Sequence, residues 1–187
     1  MELYLSVLMG IGLSAASGFK LFVPLLIISL ASLSGHLELS SGFEWIGTYP
    51  AFIIFLTATV LEIAAYFIPG IDNLLDTLEG PAAFVAGTII TAAFIGEMSP
   101  YLRITLSIIA GGGTASAVQF STATARGGST LTTGGAANPF LNIFEIVFSV
   151  LISIFSLLYP ILVIVLLIFM AYIFIKKFYP KIKQWRL

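Results

Sequence analysis

The chain has 187 residues, 59% hydrophobic and only 9% charged, with a mean hydropathy of +1.09. A soluble domain carries about 25% charged residues, so this composition reads as an integral membrane protein. There are no cysteines, which excludes disulfides, thiol catalysis and cysteine-bound metal. The net charge of −1 singles out no partner beyond the lipid bilayer, and no nucleic-acid partner is expected.

Inside lipid the backbone must satisfy its own hydrogen bonds, and the apolar runs here are unbroken rather than alternating. The expected fold is therefore all-α, a polytopic transmembrane helix bundle of about six spans in a single domain, 1–187. The first residues carry no basic region before the apolar run, so the first segment reads as a retained span and not a signal peptide.

Residues 3–33 are too long for one straight crossing of a core about 30 Å thick. Gly18 and Pro24 can break or kink a helix, and the small residues Ser14 to Gly18 let a neighbour approach closely. Lys20 either faces protein or water in mid-span, or marks a helix end and snorkels to the interface. Residues 34–49 form a polar loop whose single histidine, His36, has no ligand partner and reads as a surface residue. Trp45 and Tyr49 suit an interfacial belt.

Residues 50–68 are a clean span apart from Glu62. A carboxylate there needs a partner or a proton, with Lys20 the nearest candidate in kind, unless it reaches the headgroups. Asp72, Asp76 and Glu79 then recur at helical spacing and share one face. Such oxygens suit a divalent cation such as Mg²⁺ or Ca²⁺; alternatively they are solvated acids of an interfacial turn. Residues 82–95 read as a short span, 96–100 as a turn, and 101–125 as a span interrupted near Gly111 to Gly113. The polar residues that follow, such as Gln119, should be buried in the bundle.

Residues 126–139 read as a loop, with glycines that permit unusual backbone shapes and the hydroxyls of Ser129, Thr130, Thr132 and Thr133. Asn138 and Pro139 look like the cap and first residue of the next helix, whose positive end would point back at the loop. With Arg126 at its edge, the loop can bind an anion or can be a plain polar connector. Residues 140–176 hold two spans joined by a tight turn at Tyr159 and Pro160. Asn142 and Glu145 sit early in the first, and Ser149, Ser153 and Ser156 share one of its faces. The tail, 176–187, is basic and puts the C-terminus in the cytoplasm. Six spans place the N-terminus there too, and a re-entrant pair at 3–33 would break that parity.

Two decapeptides, Gly10 to Phe19 and Gly111 to Phe120, align without a gap and share four identical positions. Leu61, Glu62 and Ile63 also resemble Phe144, Glu145 and Ile146. These matches suggest a 3+3 inverted repeat with halves 1–98 and 99–178, each opening with an interrupted helix.

Several of these motifs resemble a bacterial integral membrane family, domain of unknown function 4126. They are Gly18-Phe19-Lys20 with Pro24, Leu61-Glu62, Pro69 with Asp72 and Asp76, and Ser129 through Gly135 with Asn138-Pro139. The resemblance covers almost the whole chain and implies an integral membrane protein of no stated activity. That family more often has Arg at the position of Lys20, so this chain keeps the charge but loses the guanidinium fork.

Three functions fit these residues. A small transporter or channel for an ion or a small polar or anionic solute would use Lys20, Glu62, Arg126, Ser129, Thr130, Thr132, Thr133, Asn138 and Glu145 where the halves meet. Lys20 would hold an anion or act as counter-ion, and Glu62 or Glu145 would carry a proton. So small a bundle suggests a homodimer in the inner membrane. A scaffold for another membrane protein would use the small-residue faces. A metal-dependent enzyme on a phosphorylated lipid would hold a divalent cation on Asp72, Asp76 and Glu79 and phosphate on Arg126, but a general base is missing. No other cofactor is expected.

Overall fold

The computed structural model describes residues 3–68, 71–96 and 98–184; side chains of 72–73, 174–175 and 177–184 lie outside the description. Lys177, Lys181, Lys183 and Arg186 of the basic tail fall there. Among the described residues the fold is all-α, without strands. The helices are α1 (Leu3–Ser17), α2 (Phe22–Leu33), α3 (Tyr49–Ala65), α4 (Ile71–Phe94), α5 (Pro100–Leu106), α6 (Gly113–Thr133), α7 (Asn138–Leu158) and α8 (Pro160–Gln184). Among the described residues two segments, Leu74–Phe94 and Asn138–Leu158, are long and apolar enough to cross a membrane, and four shorter apolar helices accompany them.

The long first stretch is a helical hairpin. Pro24 sits in the first turn of α2, where its missing N–H costs nothing, so it starts a helix and does not kink one. Gly18, at the break, lies so close to the carbonyl oxygen of Ala115 and to Val118 that no side chain fits. Both arms then pack together, with Met9 and Leu13 of α1 and Leu25 and Ile28 of α2 in one buried cluster. Gly35, at φ 74°, ends α2 in a left-handed cap, and the amides of Gly35 and His36 bond back to the carbonyls of Ser32 and Ala31. The chain then returns beside the start of α1, where Leu3, Ser6 and residues 35–40 line a common crevice with Phe94.

The remaining helices run end to end beside this hairpin. Thr48 caps α3 through the Ala51 amide at 3.4 Å, with Pro50 in the first turn. Helix α4 passes straight through Pro81, merging what read as an acidic turn and a short span. The glycines at 111–113 do not interrupt the next rod: α5 continues through a π-helical turn, Ser107–Gly112, into α6. There Gly111 faces Gly87 of α4, backbone against backbone.

Helix α6 also overturns the loop expected at 126–139. It runs to Thr133 and ends at Gly134 and Gly135, at φ 63° and 86°, leaving only a short turn before α7. Its hydroxyls stay inside the helix, where Thr124, Thr132 and Thr133 donate to the carbonyls four residues back. Ala137, not Asn138, is the residue before α7, and no side chain caps that helix.

The two ends of the molecule differ. At one end lie the start of α1, the loop 34–48, the starts of α3 and α5, and the α7–α8 turn. Tyr4, Trp45, Tyr49, Tyr101 and Tyr159 are all exposed there. Arg103 clamps that end: it donates to the Ala92 carbonyl at 3.0 Å and to the Ser40 hydroxyl at 2.8 Å and stacks on Phe43. The other end holds the hairpin tip, the end of α3, the start of α4, the end of α6 and the start of α7. Residues 3–33 thus form a hairpin, the alternative that breaks the six-span parity. The first half, 1–98, opens on a hairpin, and the second, 99–178, on a rod that contains a π-helical turn.

Helix α7 is inverted relative to a water-facing helix. Its buried residues are Asn138, Asn142, Glu145, Ser149, Ser153 and Ser156, without one apolar member. Its outward residues include Phe140, Ile143, Phe144, Val147, Leu151, Ile154 and Leu158.

Candidate functional site

The second end of the bundle gathers the charged side chains. Lys20 at the hairpin tip is fully buried, and its Nζ lies 3.3 Å from Glu145 Oε2 of α7. Arg126 of α6, 1% exposed, forks between Glu145 and Asp76 of α4. Tyr66, just after α3, donates its hydroxyl to Asp76 at 3.1 Å. Its ring lies 3.4 Å from Lys20 Nζ and 4.0 Å from the Arg126 guanidinium, so both cations rest on it. Charge therefore alternates along one continuous chain: Lys20, Glu145, Arg126, Asp76, Tyr66.

Two further acids flank this chain. Glu62 accepts the backbone N–H of Leu21 at 2.6 Å and of Phe22 at 3.1 Å. It thereby fastens α3 to the positive end of α2 and fixes the hairpin tip. Its partner is the backbone beside Lys20, not the Lys20 ammonium. Glu79 of α4 is 5% exposed and accepts from the Gln119 amide of α6 at 3.2 Å. Beside Glu145, Asn142 is 1% exposed, and among the described residues neither atom of its amide has a hydrogen-bond partner.

Glu62→Ala should leave two part-buried amides without their acceptor and cost about 1 kcal/mol. Hydrogen exchange should speed up at Leu21 and Phe22 while α6 stays protected. Unchanged exchange at the tip would mean that Glu62 does not hold it.

Sequence and structure agree on Lys20, Glu62, Arg126 and Glu145, which do converge. Asp76 and Glu79 join them, but as part of the ion network. Among the described residues no group of three acidic, histidine or cysteine side chains gathers in a metal-binding arrangement. The Asp72 side chain lies outside the description. Ser129, Thr130, Thr132 and Thr133 form no open cradle: Thr130 accepts from the Asn138 amide at 3.1 Å, and Thr133 accepts from the Ala137 amide at 3.3 Å. Arg126 gives its two terminal nitrogens to carboxylates, and its Nε is buried with no hydrogen-bond partner among the described residues. Tyr66 is the member that sequence reasoning missed. Its only sequence signal is a phenol one turn after Glu62 at the end of an apolar run.

The family described as Domain of unknown function (DUF4126) matches residues 7–178. The chain belongs to this family. No curated protein and no solved structure matches it. In this DUF4126 protein every member of the network lies within the matched residues, from Lys20 to Glu145.

Proposed function

We propose that the chain is an integral membrane transporter or channel for an ion or small polar solute, with its site in the buried charge network. The observation that carries this reading is α7, polar where buried and apolar where exposed. Lipid is the solvent in which that inversion is favourable. The exposed aromatic residues at one end form a headgroup-level belt. Along α7, Glu145 lies about 20 Å from Tyr159, well inside a core about 30 Å thick. Charges at such depth are costly and mark ion or substrate pathways. The network also sits where residues before and after position 98 meet.

In this reading α1 and α2 form a re-entrant hairpin, and α3, α4, the α5–α6 rod, α7 and α8 cross. The basic tail puts the network's end of the bundle on the cytoplasmic face of the inner membrane. Both cations already have carboxylate partners, so a cationic or neutral cargo fits better than an anion. The small bundle is proposed to pair as a homodimer, and a monomer mass by light scattering would remove that part.

Reconstituted vesicles test the reading. Imposed gradients of protons, sodium, potassium, chloride and phosphate are each followed with a suitable dye. At least one should collapse faster than in empty vesicles, and Lys20→Met should abolish that flux. A folded protein that passes none of them, and that co-purifies with one membrane partner at fixed stoichiometry, would instead be a scaffold.

A further inference from the structure

We infer that Glu79 is the carboxyl of this network that carries a proton; this rests on the transport reading above, whose site it specifies. The network contains two cations, Lys20 and Arg126, against four acids, Glu62, Asp76, Glu79 and Glu145. Glu145 and Asp76 consume both cations. Glu62 has two backbone N–H donors at a helix start, an arrangement that holds an anion without a cation.

Glu79 has neither. Among the described residues no cation pairs with it, and its partners are the neutral Gln119 amide and the Tyr66 hydroxyl. Tyr66 has one hydroxyl proton to share between Asp76 and Glu79, and a neutral phenol brings no counter-charge to either. A buried carboxylate without a counter-charge takes up a proton rather than remain charged.

The groups that face Glu79 are Lys20 from the hairpin tip, Glu62 and Tyr66 from the α3 side, Asp76 on its own helix and Arg126 from α6. The two cations among them attract it, but their ion pairs are made with Glu145 and Asp76. Asn142, buried beside Glu145 with both amide atoms unpartnered, is a second polar group held ready inside the same bundle. It can donate or accept as the charge nearby changes.

Infrared spectroscopy of the full chain in lipid tests this. A protonated buried carboxyl gives a carbonyl-stretch band that shifts in D₂O. The wild type should show that band at neutral pH and lose it as pH rises. Glu79→Gln should lack it, while Glu62→Gln keeps it. Glutamine copies the shape of a neutral acid, so Glu79→Gln should melt with the wild type; Glu79→Asp, with a displaced band, serves if it does not fold. No band in the wild type, or a band that survives in Glu79→Gln, overturns the inference. Proton flux measured in the same vesicles separates the two claims. Ion flux without any such band keeps transport and removes Glu79 as carrier. A band specific to Glu79 in a protein that passes no ion keeps the proton site and removes transport.

Discussion

Arg126→Ala should destabilise the bundle by about 3–5 kcal/mol, the largest effect of any single side chain here. The guanidinium is buried, forks to Asp76 and Glu145 and rests on Tyr66. Removing it takes a cation from both Asp76 and Glu145. Most of the loss comes from buried charge left less compensated rather than from the value of the pairs themselves. Arg126→Lys should recover only part of it, because an ammonium cannot fork to two carboxylates. The change Glu145→Gln, made on the Arg126→Ala background, should cost less than it does alone, since it removes a charge that has lost a partner. Thermal unfolding in detergent reads all three. An Arg126→Ala protein that melts with the wild type would mean that the network contributes nothing to the fold.

Gly111→Val should be nearly as damaging, by sterics alone. Helix α4 crosses the π-helical turn where Gly87 and Gly111 meet. A Cβ at Gly111 would press on the Gly87 carbonyl oxygen and lie 2.7 Å from Thr91 Cβ. At Gly87 it would lie 2.6 Å from both Ala115 Cβ and the Gly111 carbonyl oxygen. These neighbours are mostly backbone or rigid side chains, so the helices must part. Overpacking costs about 1–3 kcal/mol for a small excess, and valine adds more than one methyl group. Gly113→Ala is the control, because nothing lies near its Cβ position and alanine favours helix. If Gly111→Val and Gly113→Ala melt alike, the close crossing is not a stability determinant.

The sequence made some of this legible. Apolar run lengths and prolines located most helices, because Pro50, Pro100, Pro139 and Pro160 all lie in first turns. Serine spacing found the buried face of α7. The cost of charge in an apolar run made burial one of two readings for Lys20 and Glu62, the other being an end at the headgroups, and the structure buries both.

The misreadings also have physical causes. Glycine and threonine are weak helix formers, so 126–133 read as a loop. Tertiary anchoring overrides that preference: Arg126 is pinned at one end, and threonines bond back to the helix's own carbonyls. Hairpin and kink share one sequence signature at Gly18 and Pro24. What separates them is the long-range packing of α2 on α3 and of α1 on α4, which no local pattern encodes. Ser14 of α1, for example, donates to the Gly87 carbonyl of α4 at 2.8 Å.

The absence of cysteine makes a decisive test direct. Single cysteines at Tyr4, Glu38 and Thr132 would be labelled with a membrane-impermeant maleimide, in intact cells and again after the membrane is opened. The re-entrant hairpin predicts that Tyr4→Cys and Glu38→Cys react from the same face, and Thr132→Cys only from the other. Tyr4→Cys reacting together with Thr132→Cys, and apart from Glu38→Cys, would make residues 3–33 a full crossing and contradict a hairpin that delivers Lys20 to the buried network.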